Sequence, residues 1–144
     1  AYTEGWGLYA ERLAKEQGRF TDPMQDFGRL QNEMLRAARL VVDTGGHSKR
    51  WTRERMIQFM LDNNPMTVED ATKEVERYLD MPAQALSYKI GMMRILDLRE
   101  KAKRELGSKF DIRDFHDVVL KNGAVPLSIL EEMVDAYIAR KKAA

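Results

Sequence analysis

Two glutamates near the start of the chain have a spacing that would let both carboxylates act at one site. Glu4 and Glu11 are seven residues apart, so a helix places both on one face, with Leu8 in the turn between them. Paired acids on one face are candidates for a functional site. The alternative is a pair of solvated carboxylates near a helix N-terminus, where negative charge is stabilising.

A histidine follows a pair of glycines further along the chain, in the run Asp43-Thr44-Gly45-Gly46-His47. Paired glycines are poor helix formers and permit left-handed turns, so we predict that a helix ends there and that His47 lies just past the turn. An imidazole titrates near neutral pH and could donate a hydrogen bond or transfer a proton in a cleft. The alternative is a histidine in a surface loop, or one that caps the preceding helix.

A third candidate is a polar strip formed by Gln84, Tyr88 and Gly91. Their spacing of i, i+4 and i+7 places them on one helix face, where a glycine allows close backbone approach. The alternative is a tyrosine packed in the core with its hydroxyl on a partner. His116, the other histidine, is predicted to pack or cap within a short helix.

Helices must position these residues, because helical periodicity is frequent and strand patterns are nearly missing. We predict an all-α fold of about seven helices in one domain, residues 1–144. Predicted helical features are an N-terminal helix ending at Gln17-Gly18, a helix with an apolar stripe over Met24–Val42, Thr52–Leu61, a helix capped by Thr67, the longest helix over Ala83–Leu106, Ile112–Leu120, and a last helix opened by Ser128.

Composition excludes several classes of function. The 144 residues include 24 Lys and Arg, 23 Asp and Glu, and no Cys, so thiolate metal sites, disulfides and thiol nucleophiles are excluded. The balanced charge argues against a nucleic-acid binder, and the apolar runs are too short to span a bilayer. Because the chain begins without Met and enters a helical pattern at once, we expect a C-terminal portion of a longer protein.

Several motifs give the chain a resemblance to a known family. In order along the chain they are Glu4-Gly5-Trp6-x-x-Tyr9-x-Glu11, Arg36-Ala37-x-Arg39-Leu40-Val41-Val42-Asp43-Thr44-Gly45-x-His47, Trp51-Thr52-Arg53, Pro82-x-Gln84-Ala85-x-x-Tyr88-x-x-Gly91 and Phe110-Asp111-x-Arg113-x-Phe115-His116-Asp117. Together they resemble the C-terminal part of the bacterial family known as domain of unknown function 885, over essentially the whole chain.

The resemblance implies a zinc metallopeptidase of the gluzincin type, whose members carry a His-Glu…Pro-Gly-His stretch upstream of the Glu-Gly-Trp motif. It implies that Glu4 is the third protein ligand of zinc in the intact parent, beside two upstream imidazoles. His47 and Tyr88 would be catalytic residues that stabilise the oxyanion. Arg39 or Arg94 would be a candidate for binding a substrate carboxylate.

The resemblance also implies the partners of this chain. They are the upstream half of the same polypeptide, a peptide-like substrate, and a second copy of the chain if an apolar docking face is left exposed. Alone, the chain is expected to be inactive and to hold no cofactor. The competing hypothesis is a helical scaffold or protein-interaction module with a lapsed metal site. Neither hypothesis assigns a compartment.

Overall fold

The computed structural model describes residues 1–143, and within that range it contains seven α-helices and no strand. The helices are α1 (Tyr2–Glu16), α2 (Pro23–Lys49), α3 (Arg53–Asn63), α4 (Val68–Asp80), α5 (Ser87–Leu106), α6 (Ile112–Leu120) and α7 (Leu127–Ala143). Short 3₁₀ turns at Gln84–Leu86 and Gly107–Lys109 flank α5. The predicted all-α fold is confirmed. No helix within these residues has the length and hydropathy to cross a membrane.

Side-chain caps begin four of the helices. Asp22 accepts a hydrogen bond from the Met24 backbone N–H at 2.8 Å, with Pro23 in the first turn of α2. Thr52, Thr67 and Asp111 cap α3, α4 and α6 in the same way. These short polar side chains satisfy backbone N–H groups that have no partner inside the helix. The last helix begins at Leu127, so Ser128 lies inside its first turn and does not open it.

The predicted end of the second helix is wrong, because α2 continues through both glycines to Lys49. Because Gly45 and Gly46 have no side chains, Trp51 and Met56 can pack directly against α2. A Cβ on Gly45 would lie 2.6 Å from the Trp51 ring, and one on Gly46 would lie 2.8 Å from the Met56 sulfur. The helix ends only at Arg50, whose φ of 55° is left-handed. His47 is therefore in the last turn of α2 and does not follow a glycine turn.

The fifth helix begins later than predicted, at Ser87. Ala83 has a φ of 68°, a left-handed conformation that an α-helix cannot contain, and a 3₁₀ turn follows it. Asp43, only 2% exposed, accepts the Ala83 backbone N–H at 3.1 Å and holds this bend against α2. Because α5 starts late and α2 ends late, α2 with 27 residues is longer than α5 with 20.

The buried apolar side chains form two clusters. The first cluster joins α1, α5, α6 and α7 and consists of Leu8, Tyr9, Met92, Ile95, Leu98, Ala102, Leu106, Phe115, Val119, Leu130, Val134, Tyr137 and Ile138. The second cluster joins α2, α3 and α4 to the 3₁₀ turn and consists of Ala38, Val42, Met56, Met60, Ala71, Val75, Tyr78 and Ala85. Burial of these side chains is the main favourable term in folding.

Polar contacts join α2 to α1 and α5, along a boundary that we name the polar seam. Its ion pairs are Lys15 with Asp26 at 2.7 Å and Lys89 with Glu33 at 2.5 Å. Asn32 donates to Glu11 at 2.8 Å in the same boundary. The helix that carries His47 is thus connected to the helices of the first cluster largely by charges and hydrogen bonds.

Much of the apolar stripe predicted on α2 faces solvent in the described residues. Its exposed members, with exposed fractions between 43% and 67%, are Met24, Phe27, Leu30, Met34 and Val41. Ala38 is the stripe member that is buried in the second cluster. Contiguous exposed apolar side chains typically mark a surface that another protein segment covers.

A chain of buried polar contacts runs through the first cluster. Glu16 pairs with Arg99 at 2.7 Å, and Arg99 donates to the Tyr9 hydroxyl at 3.3 Å. The Tyr9 hydroxyl lies 2.7 Å from Nε2 of His116, against which Trp6 packs edge-on. His116 is half-buried and packs against the first cluster, which agrees with the predicted packing role. Burial lowers the pKa of His116, and the positive charge of Arg99 lowers it further.

We expect His116 to make stability depend on pH. Its ordinary pKa is about 6.5 and its folded pKa is lower, so the unfolded state binds more protons between these values. The free energy of unfolding should therefore fall as pH decreases from 7 to 5. Urea denaturation at both pH values should show a smaller decrease for His116→Gln. An identical decrease in that variant would contradict this role.

Candidate functional site

A close crossing of α1 and α5 positions the first candidate residue. A Cβ added to Gly5 would lie 2.4 Å from the backbone of Gly91, and one added to Gly91 would lie 2.7 Å from Gly5 Cα. The two backbones touch because neither residue has a side chain. The crossing holds the first turn of α1 beside the first turn of α5, and Glu4 is the neighbour of Gly5 in that turn.

Glu4 is half-buried at this crossing. Within residues 1–143, its carboxylate accepts one hydrogen bond, from Nε2 of Gln84 at 3.3 Å. Gln84 belongs to the 3₁₀ turn that leads into α5, and the guanidinium of Arg77 donates to its side-chain oxygen at 3.4 Å. The partner of Glu4 is therefore a neutral amide, which leaves the negative charge without a neutralising cation at this contact.

Tyr88 lies one turn after Gln84 and is half-buried. The guanidinium of Arg36 lies over its ring, 4.3 Å from the centroid, and that of Arg39 lies 5.6 Å from the same centroid. Cations in this position are attracted by the negative face of an aromatic ring. Two arginines of α2 thus hold the ring of Tyr88 from across the polar seam.

Arg39 is itself fixed by a buried network. It donates from Nε to the Tyr78 hydroxyl at 3.0 Å and pairs with Glu74 at 2.5 Å, while the Tyr78 hydroxyl donates to Glu74 at 2.6 Å. Burial alone would raise the pKa of Glu74, but the bond from Tyr78 and the charge of Arg39 outweigh it and lower that pKa. Burial, followed by the bond to Glu74, raises the pKa of Tyr78 strongly. Glu74 is therefore the ionised member and Tyr78 the neutral one.

His47 lies in the last turn of α2 and contacts α4. Its Nε2 lies 2.9 Å from the backbone carbonyl oxygen of Tyr78, near the C-terminal end of α4. A carbonyl oxygen only accepts, so this nitrogen carries the proton and donates. The imidazole is exposed and its Nδ1 is the nitrogen left for another partner. His47 thus links α2 to α4.

Two of the three predicted site residues, Glu4 and Tyr88, lie at one short segment, 83–88, whereas His47 contacts Tyr78 outside it. Glu4 binds this segment from α1, and Asp43, one turn before His47, binds it from α2. Tyr88 is the last residue of the segment. Their recorded contacts are nevertheless to other residues and do not join Glu4, His47 and Tyr88 to one another. Helices α1 and α2 and the 3₁₀ turn thus converge on the start of α5.

Two residues of this region are not identified as contributors by the sequence motifs. The pattern places Asp43 at a helix end, whereas its carboxylate anchors Ala83. Arg36 belongs to a motif, and its three-residue spacing from Arg39 is the signal that places both on one face of α2. Arg94, the other predicted carboxylate-binding arginine, pairs with Glu131 of α7 instead.

The carboxylate of Glu4 fits one position of a zinc site, since zinc accepts carboxylate oxygen together with imidazole nitrogen. Within residues 1–143, no three His, Cys, Asp or Glu side chains come together as a metal-binding group. A zinc ion at Glu4 would therefore need its remaining protein ligands from another segment. The donor chemistry is suitable but supplies only one ligand.

Comparison with known proteins places the chain in a family. A solved structure described as "the putative lipoprotein from Colwellia psychrerythraea" is 54% identical, with a TM-score of 0.94 over 96% of this chain. The chain spans 24% of the length of that solved chain. No curated protein matches the sequence. The family model for the bacterial proteins of unknown function called DUF885 matches residues 1–134. The chain therefore belongs to the DUF885 family.

Proposed function

We propose that this chain is the C-terminal part of a zinc-dependent peptidase or amide hydrolase, in which Glu4 is a protein ligand of the metal. The observation that carries the proposal is the environment of Glu4. Its half-buried carboxylate is fixed by the Gly5–Gly91 crossing and contacts the neutral amide of Gln84. A positioned carboxylate that is not bound to a lysine or arginine retains its charge for a cation.

Glu4 supplies one ligand, and the two imidazoles would come from the upstream His-Glu…Pro-Gly-His stretch that the family resemblance implies. The general base would come from the same stretch. When bound, zinc supplies Lewis-acid activation of water and of the scissile carbonyl. Gln84 then has a positioning role, because its hydrogen bond fixes one carboxylate oxygen of Glu4 and orients the other.

Tyr88 and His47 are proposed to stabilise the oxyanion that develops when an amide carbonyl is attacked. A donor aimed at that oxygen is typically worth about 3 kcal/mol. The phenol of Tyr88 is held in place by Arg36 and Arg39. His47 already donates from Nε2 to Tyr78, so only its Nδ1 is left to face a substrate. Tyr88 is the stronger candidate of the two, since its ring lies beside the segment that binds Glu4.

The exposed stripe on α2 is proposed to pack against the preceding part of the same polypeptide. The solved DUF885-like chain is about four times as long as the segment that matches here, so most of its residues lie elsewhere. Five exposed apolar side chains on one helix suit a helical partner with an apolar face. In the absence of that partner, the same surface would associate with a second copy of this chain.

Removal of metal from the whole protein that contains this segment tests the proposed function. We expect about one zinc per chain by elemental analysis and hydrolysis of short peptides or amides. Activity should be lost with a chelator and restored by zinc, while circular dichroism stays helical throughout. A folded whole protein with neither bound zinc nor hydrolytic activity would contradict the proposal and favour a scaffold or interaction module.

A further inference from the structure

Two arginines of α2 share the space around Tyr88. Arg36 and Arg39 are three residues apart, so both project from one face of the helix. Their guanidinium carbons lie 4.3 Å and 5.6 Å from the centroid of the same tyrosine ring. Two positive charges are therefore gathered at the polar seam, next to the first turn of α5.

These two cations have one counter-ion between them. Arg39 pairs with Glu74 at 2.5 Å, and the Tyr78 hydroxyl donates to the same carboxylate oxygen. Arg36 is in none of the ion pairs formed within residues 1–143 and rests against the face of Tyr88. Burial lowers the pKa of Arg36, and the positive charge of Arg39 lowers it further. The pair therefore carries an excess positive charge in a partly desolvated position.

The pair also has donors that lack acceptors. Nε of Arg36 and Nη1 of Arg39 are buried and have no hydrogen-bond partner in the described residues. Arg39 is only 3% exposed, so solvent does not replace the missing acceptor. An unsatisfied buried N–H costs free energy, and the cost is greater on a charged group. An anion is a partner that would satisfy such donors.

We propose that Arg36 and Arg39 bind the free C-terminal carboxylate of a peptide substrate beside Tyr88. Guanidinium groups match a carboxylate in charge and in the geometry of paired N–H donors. This inference rests on the proposed function and deepens it by naming the class of substrate.

The position of the pair sets where such a peptide would be cut. The pair lies against Tyr88, and Glu4 binds Gln84, so both are at the start of α5. A peptide whose terminal carboxylate is held by the pair would therefore be cut near its C-terminus.

Binding of small peptides to the metal-free whole protein tests the site without catalysis. The probes are N-acetyl-Ala-Ala with a free carboxylate and the same peptide with a C-terminal amide, compared by calorimetry. We expect the free acid to bind about tenfold to hundredfold more tightly, which is the range for a charge-assisted contact. Arg36→Gln should abolish that preference. The matched control is Arg94→Gln, which removes an arginine paired with Glu131 on α7 and should keep the preference.

Kinetics of the zinc-loaded protein separate this inference from the proposed function. In Arg36→Gln, the ratio of KM for free-acid peptides to KM for amidated peptides should rise about tenfold or more, while any effect transmitted through Tyr88 should be the same for both peptides. Preferential binding of the free acid without hydrolysis would contradict the proposed peptidase function and support carboxylate binding by Arg36 and Arg39. Hydrolysis with equal KM for both peptides in the wild type would refute the anion site alone.

One further result would overturn the inference. If a carboxylate of the whole protein already occupies the pair, Arg36→Gln will lower the unfolding midpoint of that protein and leave the peptide preference unchanged. The variant is suited to this comparison because Arg36 forms no ion pair within residues 1–143. Arg36→Lys, which retains the charge but not the paired donors, should recover only part of the preference.

Discussion

Replacement of Gly5 by alanine is expected to lower the free energy of unfolding by about 3 kcal/mol, the upper end of the usual cost of overpacking. The new Cβ would lie 2.4 Å from the backbone of Gly91 and 2.7 Å from the Met92 nitrogen. Backbone cannot move aside as a flexible side chain can, so α1 must separate from α5. Urea denaturation followed by circular dichroism measures the change.

The matched control is Gly7→Ala, two residues along the same helix. No atom outside its own helix backbone lies within 4 Å of a Cβ at that position, and the residue is exposed. Alanine is a better helix former than glycine by up to about 1 kcal/mol, so this variant should be more stable than the wild type. If Gly5→Ala were also stabilising, the close crossing of α1 and α5 would be wrong.

Replacement of Glu4 by glutamine in the whole protein is expected to reduce zinc affinity by more than about 100-fold and to abolish hydrolysis. Loss of a residue that only orients a metal ligand already costs roughly 10- to 100-fold, and Glu4 is proposed to contact the metal directly. Glutamine preserves the shape of the side chain and can still bond Gln84. Zinc stoichiometry after dialysis against a competing chelator gives the readout.

Glu11→Gln is the control for this experiment, because Glu11 lies on the same face of α1 and differs in its contacts. Its carboxylate accepts two hydrogen bonds from Asn32, at 2.8 Å and 3.1 Å. Zinc content and turnover should therefore be unchanged in that variant. Unaltered zinc binding in Glu4→Gln would exclude Glu4 from the coordination sphere, whatever the activity of the protein.

Structural features that depend on residues close together in the sequence are predictable from the sequence alone. The sequence pattern correctly predicts the cap of α4 at Thr67 and the start of α6 at Ile112, because a cap needs only a short polar side chain and the next few backbone N–H groups. The number of helices and the fold class followed from the same local signals together with helical periodicity.

Features that depend on distant residues were not predictable. Paired glycines are typical of a turn, yet Gly45 and Gly46 lie inside α2. They are needed there because Trp51 and Met56 occupy the space where larger side chains would be. The 80-residue separation between Glu4 and Gln84 hides their contact from any local pattern. Motifs therefore identify candidate residues of the site, whereas the residues that contact each of them are visible only in the structure.

The polar seam has a mechanical consequence. Its ion pairs and hydrogen bonds can each be exchanged for contacts with water at a small cost in free energy, whereas separating helices within either apolar cluster exposes hydrocarbon. The boundary of α2 with α1 and α5 is therefore expected to open to water before either apolar cluster does. Asp43 and Ala85 tie one end of that boundary to the second cluster, so the opening would begin at the other end, near Asp26. Glu4 and Tyr88 lie on one side of the boundary and Arg36 and Arg39 on the other, so such an opening would change the distance between the candidate metal ligand and the arginine pair.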